Sequence, residues 1–303
     1  MTNTAVAKVI HSERSLYRNI LVEDKGDLRC LKFDVRSSKT QQSCILKSKP
    51  QQLIFNYTKL LLTGLFVNPE PKRILIIGLG GGTMSNTLHS ILPDSFIDNV
   101  EIDQSVINVA RKYFDFLEND QVKSYNQDGR IFVKRALLKQ QKYDWIILDA
   151  FNGDYIPEHL MTKEFLQEVK ALLSKQGIIT ANTFSSSELY RYESATYKAV
   201  FGDFYQVSNK INSNRIILAT NHVLEHHLVK KSTTEVQITT VEKKNPSQLT
   251  LRLTTELTSK FKVFGVDANQ LYQQVQSTAI HQDWPDDNPI LTDQFAPANL
   301  LNN

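Results

Sequence analysis

Residues 73–103, RILIIGLGGGTMSNTLHSILPDSFIDNVEID, constrain the fold more than any other stretch of the chain. An apolar, β-branched run ends abruptly at Gly78, and Leu79, Gly80, Gly81 and Gly82 follow. Residues 83–92 suit a helix, and a second strand-like run closes on Glu101 and Asp103. Strand, glycine turn, helix, strand and acid is the order of a nucleotide-binding βαβ unit. Glycine reaches positive φ and carries no Cβ, so a ligand can lie against bare backbone there. Glu101 follows Gly80 by 21 positions, the distance at which a strand-end carboxylate takes both hydroxyls of a ligand ribose. Thr83 stands where a dinucleotide fingerprint has its third glycine. The resulting GxGxG form favours an adenosylmethionine-type nucleoside over a dinucleotide. The competing reading is a βα turn that binds nothing.

Around this unit the pattern is regular. Residues 104–114 read as a helix, 122–125 as a strand, 129–138 as a helix and 143–149 (YDWIILD) as a strand buried on both faces. A helix at 162–174, with Thr162 as its N-cap, precedes a strand at 177–182 and a helix at 187–200. Residues 204–208 and 215–219 read as a final antiparallel pair. Alternating strands and helices predict a doubly wound α/β sheet with right-handed crossovers. Ahead of it, runs at 16–22, 28–33 and 43–46 predict a small antiparallel sheet within residues 1–50. A helix is expected to open at Pro50, with Leu53, Tyr57, Leu60, Leu61 and Leu65 on one stripe. Residues 51–220 then form the main domain. Residues 221–303 form an extension, with an edge strand at 233–241, a helix at 261–276 and an acidic tail folding back over the sheet.

The chain has 303 residues, 22% of them charged, and a net charge of +3. That charge is too small to imply nucleic acid, and no apolar run is long enough for a membrane span. Cys30 and Cys44 exclude a disulfide scaffold and are expected as small buried groups in a reducing cytosol.

Ligands of an open parallel sheet sit beyond the carboxyl ends of its strands. Gly78, Gly80, Gly81 and Gly82, then Glu101 and Asp103, then Asp128 and Gly129, then Asp149 through Pro157 occupy four such ends. Asp128 suits an adenine amine or an N-cap of the following helix, and Ile156 with Pro157 an apolar ceiling. Asp149 is the sharpest candidate, since a carboxylate there can deprotonate an amine attacking a sulfonium-bound carbon. Asp154 and Tyr155 are expected to line the acceptor pocket, and His159 is expected as a loop histidine. His222, Glu225 and His226 match an HxxEH zinc pattern. They lie in a polar stretch without a third ligand, so no metal is expected.

Together these residues resemble the spermidine synthase family (polyamine aminopropyltransferases) over roughly residues 15–220. ILIIGLGGGT resembles its nucleoside loop, VEID its ribose acid, DGRIF its adenine turn and ILDAFNGDYIP its catalytic loop. The resemblance implies an S-adenosylmethionine-dependent methyltransferase fold, Rossmann-like with seven mostly parallel strands, behind an N-terminal β-domain. It implies decarboxylated S-adenosylmethionine or S-adenosylmethionine as co-substrate and a homodimer. Catalytic roles fall to Asp149, Asp154 and Tyr57. The departures concern the amine half of the site: Gly81 and Asn152 stand where the family carries acids, and Lys59 also replaces an acid.

The expected protein is therefore a cytoplasmic transferase acting on a small-molecule amine, with no nucleic-acid or membrane partner. A methyltransferase on the same fold and a non-catalytic nucleoside-binding module are the rivals, and an NAD dehydrogenase fits least.

Overall fold

A computed structural model describes residues 6–35, 38–151, 156–184, 188–208, 214–221, 236–237, 251–277 and 284–297. Its centre is a seven-stranded sheet in the order β10-β11-β9-β8-β5-β6-β7. The strands are β5 (Arg73–Ile77), β6 (Phe96–Glu101), β7 (Val122–Asn126), β8 (Tyr143–Leu148), β9 (Leu173–Phe184), β10 (Tyr205–Ser208) and β11 (Asn214–Thr220). Strands β5 to β9 pair in parallel, and β11 runs against both of its neighbours. The chain builds outward from β5 first to β6 and β7, then returns to build β8 and β9 on the other side. The switch in direction lies between β5 and β8, where a crevice opens beyond the strand ends.

Strands β5 and β8 show no polar alternation because both faces are covered. Ile74, Ile76, Trp145 and Ile147 face one core. That core is closed by α1 (Asn56–Leu61), α2 (Gly64–Val67), α3 (Thr83–Ile91) and the C-terminal pair α8 (Thr255–Val263) and α9 (Ala268–Ser277). Leu75, Ile77, Ile146 and Leu148 face the other core, beneath α5 (Gly129–Leu138), α6 (Lys163–Leu172) and α7 (Leu189–Phe201). Thr162 caps α6, its hydroxyl accepting from Phe165 N at 3.2 Å.

A separate four-stranded antiparallel sheet is formed by β1 (Lys8–Arg14), β2 (Asn19–Lys25), β3 (Leu28–Val35) and β4 (Ser38–Leu46). Its inner residues Ile20, Val22, Leu31, Phe33 and Ile45 pack on Val106 and Val109 of α4 (Gln104–Tyr113) and on Phe114. This contact sets the small sheet against the glycine-loop side of the large one.

Several local expectations are corrected. The first strand is Lys8–Arg14, and Leu16 stands 90% exposed in a turn rather than in a strand. No helix opens at Pro50: α1 begins at Asn56, and the stripe breaks between α1 and α2. A Cβ on Gly64 would meet the Trp145 ring at 2.5 Å, so α2 rests flat on that indole. The expected helix at 261–276 is two helices, parted at Gly265, whose φ is +69°. Of the edge strand at 233–241, β12 (Val236–Gln237) is described, paired with β13 (Arg252–Leu253). The tail does fold back: Leu291 N donates to Thr196, and Asp293 accepts from Arg130 and Thr162.

The cysteine expectation is also overturned. Cys30 and Cys44 are directly opposed on β3 and β4 and form a disulfide. A reducing cytosol loses the support it drew from unpaired thiols. No helix of the described residues is long and apolar enough to cross a membrane.

Candidate active site

The strand ends at the switch point are laced by backbone bonds. Gly78 N donates to Val100 O and Asp149 N donates to Ile77 O, each at 2.8 Å. Gly78 (φ +99°) and Gly80 (φ +54°) turn the chain away from β5 and expose bare backbone. Above them lies an open cleft, set where ligands of such sheets bind. Gly78, Gly80, Glu101, Asp128, Gly129, Asp149, Pro157 and Tyr57 all line it, so eight expected site residues are brought together.

Glu101 ends β6 and is buried. One carboxylate oxygen accepts from Leu79 N and the other from Asp103 N, each at 3.1 Å. Burial raises its pKa, and those amides with the nearby Arg18 charge oppose the rise. Each oxygen keeps a lone pair for a further donor. Asp128 caps α5, accepting from Ile131 N at 2.9 Å, and His159 Nε2 donates to its second oxygen at 2.7 Å. Burial works to raise the Asp128 pKa, but the His159 and Ile131 hydrogen bonds outweigh it and hold the group below its usual value. His159, half exposed as expected of a surface or loop histidine, is hydrogen-bonded to Asp128 in the cleft lining.

Asp149 follows β8 directly. Burial pushes its carboxyl up to about 7, against the opposing effect of a hydrogen bond from Asn182. Asn182 Nδ2 donates to Asp149 Oδ1 at 2.9 Å. Tyr57 lies near enough that burial, and then the Asp149 charge, hold its hydroxyl well above the usual range. Its hydroxyl donates to Gln42 O at 3.4 Å.

Three expected ligand residues do not reach the cleft. A Cβ on Gly81 would meet Ser43 Oγ at 2.7 Å and Phe114 Cδ1 at 3.1 Å, and one on Gly82 would meet Phe116 at 2.5 Å. Both glycines admit packing partners rather than a ligand. Asp103 caps α4, accepting from Ser105 N, and also accepts from the Ser15 hydroxyl beside Arg18. It orients the wall and does not line the cleft. Ile156 borders a smaller neighbouring cavity instead of the main cleft, and Lys59 lies off the cleft lining. Asn152, Asp154, Tyr155 and the HxxEH stretch with His222, Glu225 and His226 fall outside the described residues. Among the described residues no group of acids, histidines and cysteines is arranged to hold a metal.

The N-terminal sheet supplies a wall that sequence reasoning missed. Phe33, Gln42, Ser43 and Arg18 line the cleft. Ser43 Oγ lies 3.1 Å from Thr83 Oγ1. Arg18 stacks 4.3 Å over Phe33 and donates to Phe151 O at 3.3 Å. Nothing in the local pattern around Arg18 or Ser43 marks them, because the docking of two distant sheets places them. Asn182 did carry a signal, as a polar residue near the end of the apolar run IITAN.

The spermine/spermidine synthase domain matches residues 55–212, the stretch that holds every acid of this cleft. The chain belongs to the spermine/spermidine synthase family. A polyamine aminopropyltransferase of Vibrio vulnificus (strain CMCP6) is 42% identical over 296 residues, spanning 97% of this chain and 91% of that protein. The probable spermidine synthase of Corynebacterium glutamicum ATCC 13032 shares the fold, with a TM-score of 0.62 at 19% identity, covering 93% of this chain and 99% of that one. The eEF1A lysine and N-terminal methyltransferase of Bos taurus is 32% identical over 145 residues, which are 43% of this chain and 21% of that protein. This member of the spermine/spermidine synthase family is a transferase, and its seven-stranded sheet is the methyltransferase-type fold expected.

Proposed function

We propose that this transferase moves the aminopropyl group of decarboxylated S-adenosylmethionine to a small-molecule amine. One observation carries the reading: Glu101, Asp128 and Asp149 stand at three strand ends around one cleft floored by glycine backbone. The residues fit such a donor. Glu101 keeps lone pairs for two ribose hydroxyls, Asp128 with His159 faces the base, and Gly78 and Gly80 let the chain of the donor lie on the backbone. Pro157 bounds the cleft beside Asp128.

Amines are protonated near neutral pH, and only the free lone pair can attack. A carboxylate titrating at about 7 is matched to accept that proton where the enzyme works. As the nitrogen–carbon bond forms, the carbon–sulfur bond breaks, and its electron pair neutralises the sulfonium to a thioether. The product nitrogen is left as a secondary ammonium, and Asp149 returns to solvent the proton it took from the acceptor. Tyr57, protonated throughout, bounds the acceptor's approach.

Calorimetric titration with S-adenosylmethionine and its decarboxylated form, each with and without putrescine, tests the proposal. Preference for the decarboxylated donor, followed by transfer to putrescine that Asp149→Asn abolishes in a folded protein, supports it. Preference for the intact donor and indifference to amines moves the assignment to methyl transfer, the reading that the partial likeness to the eEF1A methyltransferase favours. We propose in addition a homodimer and a cytoplasmic location, to be tested by sedimentation and fractionation. Division into units at 1–50, 51–220 and 221–303 is likewise proposed, for limited proteolysis to test.

A further inference from the structure

Asp149 does not stand alone behind the cleft. Asn182, on β9 and 4% exposed, donates from Nδ2 to Asp149 Oδ1 at 2.9 Å. Its own carbonyl accepts from Asn214 Nδ2, on β11, at 3.0 Å. Residues 182 and 214 sit on paired antiparallel strands, so the sheet itself holds the two amides together.

An amide is nearly symmetric in shape, and either its oxygen or its nitrogen can face a neighbour. Turned one way, Asn182 gives Asp149 a hydrogen-bond donor; turned the other, it gives an oxygen that repels the carboxylate. Asn214, by donating to Asn182 Oδ1, selects the first orientation. We propose that Asn182 and Asn214 form an amide relay that orients Asp149, engaging Oδ1 so that Oδ2 is the oxygen presented to the acceptor's proton. Both are positioning residues, acting through Asp149 rather than on substrate.

Among the described residues, these charged and titratable groups surround the pair. Tyr57 approaches Asp149 from α1. Glu193 and Tyr197 of α7 border a small cavity together with Asn182. Arg215 on β11, next to Asn214, lies 3.7 Å from Glu193. Arg18 donates to Phe151 O, beyond Asp149 on the loop. A donor to the ionised carboxylate favours that form, so removing it moves the titration upward.

The kinetic arm of the test rests on the proposed transfer reaction; the spectroscopic arm does not. Asp149 is followed by 13C NMR of aspartate-labelled protein, its resonance assigned with Asp149→Asn, alongside the pH profile of kcat/KM. Asn182→Ala is expected to move both the titration and the acid limb upward by about one pH unit, with about a fivefold loss of rate at pH 7 and unchanged donor affinity. Asn214→Ala, which deletes no atom touching Asp149 but frees the Asn182 amide to turn, is expected to shift both in the same direction by a smaller amount. An unmoved titration in a folded Asn214→Ala protein overturns the relay, whatever Asn182→Ala does. Absence of transfer by the unsubstituted protein would remove the proposed function, and the NMR titration would still decide the relay.

Discussion

A Cβ on Gly78 would stand 2.3 Å from the carbonyl oxygen of Asp149, so the first glycine of the loop and the principal candidate base are in backbone contact. The distance is set by adjacent parallel strands, and no side chain can yield to relieve it. Gly78→Ala must overcome both this contact and a φ of +99°. Denaturant unfolding is expected to show a loss of at least about 2 kcal/mol, with donor binding reduced along with it.

The buried carboxyl of Asp149 couples activity and stability to pH with opposite signs. Transfer needs the ionised base, so the rate should rise through pH 7. Burial pushes the folded carboxyl up to about 7, against the ordinary aspartate value of 3.8. Its stabilising contribution is therefore complete below about 3.8 and is lost as pH rises through 7. Asp149→Asn is expected to melt about 2–4 °C above the parent at pH 8 and to match it at pH 4, as read by calorimetry.

His159 should matter to the donor and little to the fold. Its ring is half exposed and donates to Asp128 at 2.7 Å. His159→Ala is expected to weaken donor binding about three- to tenfold in calorimetric titration, while the melting temperature shifts by no more than about 1 °C.

Gly81 is no vacancy awaiting an acid. Gly81→Asp would drive its Cβ into Ser43 and Phe114, and should destabilise the protein by about 1–3 kcal/mol. Adding Ser43→Gly should recover part of that loss in a thermal melt. Equal destabilisation with and without the second change would refute this packing account.

The Cys30–Cys44 bridge closes a short loop between paired strands. A reductant should lower the melting temperature of the unsubstituted protein and leave a Cys30→Ser, Cys44→Ser protein unmoved, with a difference of about 2–3 kcal/mol.

The parallel core was legible because its signals are local. Residues 74–77 and 145–148 are apolar without interruption, and the glycines and acids that follow sit at strand ends by sequence alone. The stripe through Leu60, Leu61 and Leu65 was equally clear, yet it could not reveal the break after α1, nor that Trp145 packs directly against Gly64. In the same way Gly81 and Gly82 resemble ligand glycines until Ser43, Phe114 and Phe116 arrive from elsewhere in the chain. Asp103 and Glu101 are two residues apart with the same chemistry, and only the turn into α4 directs one towards the helix end and the other into the cleft. The cysteine pairing was hidden because period-two patterning locates a strand without fixing its register against the next.

The cleft has two owners. Its floor belongs to the large sheet, while Arg18, Phe33, Gln42 and Ser43 belong to the small one. A molecule in which the small sheet has come away keeps its glycine turn and acids but holds a shelf in place of a cleft. Any ligand that touches both parts acts as a rivet. Its binding energy then resists the peeling of the N-terminal sheet as well as global unfolding, so hydrogen exchange in β2 and β3 should slow on saturation even at amides far from the ligand.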